Sequence, residues 1–139
     1  MVHAVEEIRR ILVPAGILID LRPVAARWPV ELVSDHTHRE VGWMTDLPDG
    51  LADDEAANNA FKAAARLGLF VCKSEKSFPF FYYWDTPEEM CDHILENWSD
   101  SQVLEEGAFS STQKAWADAG TDRHVRVRLK MQLTRWRKR

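Results

Sequence analysis

The stretch EIRRILVPAGILIDLRP, Glu7 to Pro23, carries three local signals in succession. Helical spacing puts Val5, Ile8 and Leu12 on one face of a segment running from about Ala4 to Val13. Pro14 and Gly16 end that helix, because proline lacks an amide hydrogen and glycine accepts positive φ. Ile17 to Leu21, apolar until Asp20, then has the composition of a strand covered on both faces. In most α/β chains such a helix, turn and buried strand comes midway; here it stands almost at the first residue.

At 139 residues the chain is expected to form a single domain, 1–139, with a real core. Its 45% hydrophobic and 29% charged content is that of a globular protein. No apolar run approaches the roughly 18 to 20 residues of a membrane helix. Acidic and basic residues also break up the start, so no signal peptide is expected. Cys72 and Cys91 have no metal-ligand spacing and read as two buried thiols in a reducing cytoplasm, with a disulfide as the alternative. Net charge is −4, unevenly spread. Eight of the 18 Lys and Arg fall in Arg123–Arg139, which holds no carboxylate. The remainder therefore sets 10 basic side chains against all 22 acidic ones, a balance of −12.

Further along, Pro29–Ser34 and Glu40–Met44 read as strands in which Val30 and Leu32, then Val41 and Trp43, alternate with polar neighbours; DHTHR between them is the loop of a hairpin. Asp53 is the expected N-cap of a helix that runs to Leu67 and stops at Gly68. LFVCKSEKSFPFFYYWD reads as a strand interrupted near Pro79. Thr86-Pro87-Glu88-Glu89 starts a helix: threonine caps, proline takes the first position and Glu89 closes a capping box. Its buried stripe is Met90, Cys91, Ile94, Leu95 and Trp98. Another helix covers Phe109–Ala119, with Phe109 and Trp116 inward and Gly120 as its stop. From His124 to Thr134 apolar and polar residues alternate strictly, which predicts a long antiparallel strand with one wet face. The fold class is α/β or α+β, with a mixed, largely antiparallel sheet and helices packed against it.

In that order of elements, IRRILVPAGILIDLRP resembles the helix, turn and fifth strand of class I S-adenosylmethionine-dependent methyltransferases. Leu12-Val13-Pro14-Ala15-Gly16 stands where that family has a Lys-Pro-Gly-Gly-like turn. LFVCKSEKSF is similar to strand six, HVRVRLKMQLTRW to the terminal strand seven that pairs antiparallel beside it, and YWDTPEEMCDHILENW to a segment seen between the two. The resemblance implies the C-terminal half of a Rossmann-like methyltransferase, standing alone or cut from a longer product. The family binds its cofactor in its first half, through a glycine-rich loop and an acidic residue that holds the ribose. Gly16, Gly42, Gly50, Gly68, Gly107 and Gly120 are all far apart, so no cofactor-binding residue carries over. S-adenosylmethionine is expected only if another polypeptide or a missing region supplies that half. Alone, Ile17–Leu21 would expose an apolar edge. The hairpin Pro29–Met44 or a second copy is expected to cover it, and homodimerisation is the expected state.

Candidate sites each have a plain alternative. Asp20 and Arg22 end the first strand, where ligands gather in open α/β sheets, and suit an acceptor substrate; the alternative is a salt bridge finishing the strand. His36 and His38, with Asp35 or Glu40, are the candidate metal ligands, against a solvated loop tip. Phe78–Trp84 could line an apolar pocket, against core or dimer interface. Arg126, Arg128 and Lys130 with RWRKR could bind nucleic acid, Trp136 stacking on a base, against neutralisation by acidic helices. No nucleophile or carboxylate pair stands in a recognisable catalytic setting, and no catalytic residue is assigned. The leading function is therefore a methyltransferase-like scaffold, not catalytic alone, acting in oligomerisation, partner or small-ligand binding. The alternatives are the acceptor half of a two-part methyltransferase and a small α+β pocket protein for a hydrophobic ligand.

Overall fold

The computed structural model describes residues 2–139. Among the described residues there are four helices, α1 (Val2–Ile11), α2 (Pro48–Arg66), α3 (Pro87–Asn97) and α4 (Ala108–Asp118), and six strands. The strands are β1 (Ile17–Pro23), β2 (Trp28–Ser34), β3 (Thr37–Asp46), β4 (Phe70–Trp84), β5 (Gln102–Leu104) and β6 (Arg123–Lys138). The order is β1-β6-β2-β3-β5, and β4 also pairs with β6. The β1–β6, β2–β3, β2–β6 and β3–β5 pairs are antiparallel. The fold is thus mixed α/β with a largely antiparallel sheet. The chain divides into two compact units: Met1–Val24 with Ala52–Phe78 and Met131–Arg139, and Ala25–Leu51 with Pro79–Lys130.

In the first unit, the register Ile17↔Arg137 to Pro23↔Met131 joins β1 to the end of β6. Val5, Ala60, Ala64 and Phe70 form its core, with Ile8, Leu12, Leu18 and Trp136 packed against them. The end of α1 is held by β6, where Lys138 Nζ donates to Leu12 O at 2.5 Å and Lys138 N to Gly16 O at 2.9 Å. The α2 helix closes as the glycine at 68 requires. At φ 68° Gly68 N bonds Ala65 O at 3.0 Å while Leu69 N bonds Ala64 O at 2.9 Å.

Two expectations fail in this unit. Only alternate residues of β1 are covered: Ile17, Ile19 and Leu21 are 37%, 50% and 54% exposed. A continuous apolar run needs a layer on both faces, and helices cover one. Of the two covers expected for the edge of β1, the hairpin is not its strand partner, because among the described strands β1 pairs with β6 alone. A third difference lies at the start of α2, which begins at Pro48 rather than after Asp53. Proline suits a first turn, and Leu51 N already bonds Leu47 O at 3.1 Å.

In the second unit β2 lies between β3 and β6, and Trp28, Val30, Met44, Met90, Ile94, Val125, Val127 and Leu129 form the core. The α3 start is capped as its sequence implies, Glu89 N donating to Thr86 Oγ1 at 3.2 Å. Glu89 Oε2 in turn accepts from Asp85 N at 3.1 Å, one residue earlier than a capping box would have it. Pro87, Met90 and Ile94 are the buried stripe, while Leu95 is 62% exposed. On α4 the inward residues are Ala108, Thr112 and Ala115, with Phe109 and Trp116 half-buried. The small residues bring α4 close to β3: a Cβ at Gly42 would lie 2.7 Å from Ala108 Cβ and 2.9 Å from its Cα.

The β4 strand runs unbroken through Pro79. It pairs with β6, and an edge strand can hold a residue without an amide hydrogen on its open side. Because Gly42 faces backbone that cannot yield, Gly42→Ala is expected to destabilise the protein by about 1–3 kcal/mol. Urea unfolding measures this; a change within error would mean that α4 does not rest on β3 as described.

Candidate functional site

At the end of β1 the Asp20 and Arg22 side chains are 12% and 17% exposed and lie 3.2 Å apart (Oδ2 to Nε). Alternation puts both on the face of β1 opposite Ile17, Ile19 and Leu21, beside α2. Arg22 Nη2 donates to Asn58 Oδ1 at 2.7 Å and Nη1 to Asp54 O at 3.4 Å. The guanidinium therefore ties strand to helix, and an incoming anion would have to displace these bonds.

His36 and Asp35 form the two-residue turn of the β2–β3 hairpin, with φ of 64° and 49°. The loop is shorter than the sequence implies, because Thr37 and His38 already belong to β3, where His38 pairs with Val33. Both histidines are exposed, and among the described residues no three His, Cys, Asp or Glu side chains are grouped to hold a metal ion.

The aromatic run of β4 divides by parity. Tyr82 and Trp84 face α3, with ring centroids 5.0 and 6.0 Å from Trp98 and 5.8 and 5.3 Å from His93. These are contact separations for aromatic pairs, so the rings pack on one another. Phe80, Tyr82 and Tyr83 nevertheless remain 45%, 38% and 52% exposed, which a core reading does not anticipate. Cys72 is exposed and Cys91 half-buried, and both are free thiols. Burial, with Asp92 and Glu88 nearby, pushes the Cys91 thiol up and away from nucleophilic use. Cys91 lines an apolar cleft of about 220 Å3 with Ile94, Leu95, Val103 and Leu104, less than the roughly 300–1,000 Å3 of ordinary small-molecule sites.

The arrangement that sequence reasoning missed is centred on Glu31. It stands in a strand whose apolar residues alternate with polar ones, yet it is fully buried. One carboxylate oxygen accepts from Arg126 Nε at 2.6 Å and the other from Arg128 Nε at 2.9 Å. Across a register shift in β3, Glu31 lies opposite Glu40. Like charges at directly opposed positions repel, and Arg128 relieves this by also reaching Glu40 at 3.2 Å. Arg126 donates to Tyr83 Oη at 2.8 Å and lies 4.4 Å from the Phe81 ring centroid. Burial works against its charge, but the bonds to Tyr83 and Glu31 outweigh it and raise its pKa above the ordinary value.

On the face expected to be wet, Arg126 and Arg128 are thus neutralised in cis, by strands rather than helices, while Lys130 is exposed. At the other end of β6, Trp136 stacks on Phe61 at 5.2 Å and cannot stack on a base without leaving the core. The available signal for Glu31 was an acid flanked by Val30 and Leu32, matched by arginines at alternate positions of another strand. No helix among the described residues is long and apolar enough to cross a membrane. No family model, curated protein or solved structure matches the chain.

Glu31→Gln should cost about 3–5 kcal/mol, since it leaves the mostly buried Arg126 uncompensated. Denaturant unfolding reads it, and a loss below about 1 kcal/mol would remove the buried ion pair from this account. His36→Gly should instead stabilise by about 0.5–1 kcal/mol, relieving positive φ at a two-residue turn. A lower melting temperature would show that the His36 side chain makes a contact worth more than that strain.

Proposed function

We propose that the chain is a methyltransferase-like C-terminal domain, a cytoplasmic scaffold that is not catalytic alone and acts by association. The observation that carries this reading is the antiparallel pairing of Ile17–Pro23 with the last strand, to which β4 is also joined. The resemblance requires those relations of strands five, six and seven. A second copy pairing along the open backbone edge of β1 makes a homodimer, as free strand edges favour. The alternative is the acceptor half of an enzyme whose S-adenosylmethionine half lies on another polypeptide. It is favoured by the Asp20–Arg22 pair at the end of β1, mostly buried and bonded through Arg22 to the exposed Asn58, which would then lie toward the acceptor.

Calorimetric titration of the purified chain with S-adenosylhomocysteine, beside its sedimentation mass, tests the proposal. The expected result is no binding heat from a dimer. Micromolar binding would refute a scaffold without a cofactor site, and a monomer at micromolar concentration would refute the dimer.

A further inference from the structure

One face of the first unit combines aliphatic and basic groups in a way that its own chain does not satisfy. Direct antiparallel partners share a face, so Ile17 stands beside Arg137, Ile19 beside Arg135 and Leu21 beside Leu133. Ile17, Ile19 and Leu21 are exposed, as are Arg135 and Arg137. Among the described residues neither arginine has an ion-pair partner, whereas Arg126 and Arg128 share Glu31. The unit as a whole holds eleven Lys and Arg against seven Asp and Glu, while the second unit holds seven against fifteen.

We infer that this β1–β6 face is a docking surface for an acidic amphipathic helix of a partner protein. An open sheet face with an apolar row is ordinarily covered by a helix, whose apolar stripe meets the row. From Ile17 to Leu21 the row is about 13 Å long, the rise of about nine helical residues. Carboxylates flanking that stripe meet Arg135 and Arg137, whose charge selects acidic partners and repels basic ones. A second copy placed face to face would bring its own Arg135 and Arg137, and so more positive charge, to the same interface. Nucleic acid would leave the aliphatic row unburied, and the one tryptophan of this strand, Trp136, is turned to the opposite face and stacked on Phe61. The surface differs from the backbone edge through which a dimer would form, and it does not depend on the methyltransferase reading.

The test is selection of binders to the full chain from a displayed library of short helical peptides with randomised outward positions. Selected peptides should carry acidic residues beside an apolar stripe. They should bind roughly tenfold more weakly to Arg135→Glu/Arg137→Glu and to Ile19→Glu. Circular dichroism melting checks that the variants fold, and the arginine pair, being exposed, keeps the test valid if Ile19→Glu does not. A neutral or basic consensus, an empty selection, or acidic peptides indifferent to the arginine pair would overturn the inference. So would wild-type self-association abolished by Arg135→Glu/Arg137→Glu, which assigns the face to a second copy. Competition by phosphatidylserine vesicles without any peptide preference would assign it to lipid and overturn it equally. Because the readout contains no S-adenosylhomocysteine, its failure is distinct from failure of the scaffold proposal.

Discussion

The fully buried carboxylate of Glu31 is the constraint around which the second unit is organised. An isolated buried carboxylate costs several kcal/mol, so the chain must bring cations to it before β2 can be enclosed. Both cations come from β6, at Arg126 and Arg128, and their spacing of two puts them on one side of that strand. The pairing of β2 with β6 therefore has an electrostatic register as well as a hydrophobic one. A slip by one residue would remove Val125 and Val127 from the core and the guanidiniums from Glu31 together. Tyr83 and Phe81 extend the same device to β4, by a hydroxyl that accepts from Arg126 and a ring that faces it.

The charge asymmetry along the sequence consequently has two physical meanings. In the second unit Arg126 and Arg128 of β6 neutralise buried or opposed acids, and Arg123 lies over the Trp116 ring at 3.5 Å while bonding the last carbonyls of α4. In the first unit Arg135 and Arg137 lie on an exposed face beside Ile19 and Ile17. A count of charge per segment does not separate these cases; the partner strand does.

Much of the architecture was legible where local chemistry dictates it. The Thr86 cap, the Gly68 stop and the Val5–Ile8–Leu12 stripe all follow from single residues or short spacings. The last strand was legible from its alternation, but its wet face was not, because Glu31 lies 95 residues away. The strand at Pro79 was misread for a related reason: proline forbids a donor, and only the sheet decides whether a donor is needed there. Likewise the apolar run of β1 states what it can bury, not what is present to bury it. At the candidate site, Asp20 and Arg22 were legible as a pair, while the bond from Arg22 to Asn58 depends on how α2 crosses the strand.

Pro79 has a consequence beyond the geometry of β4. The residues around it, Phe78 to Trp84, are a window of aromatic side chains without a charge, on a strand with exposed flanks. Such windows stack readily into cross-β assemblies when they meet their own kind. A proline within the run denies one rung of any intermolecular ladder, and Lys73, Glu75 and Lys76 place charges just upstream. Together they act as gatekeepers, so that a segment rich enough in aromatics to grip Arg126 and pack on α3 is poorly suited to seed a fibril. The same residue that leaves the native strand intact thus protects the chain while it is still folding.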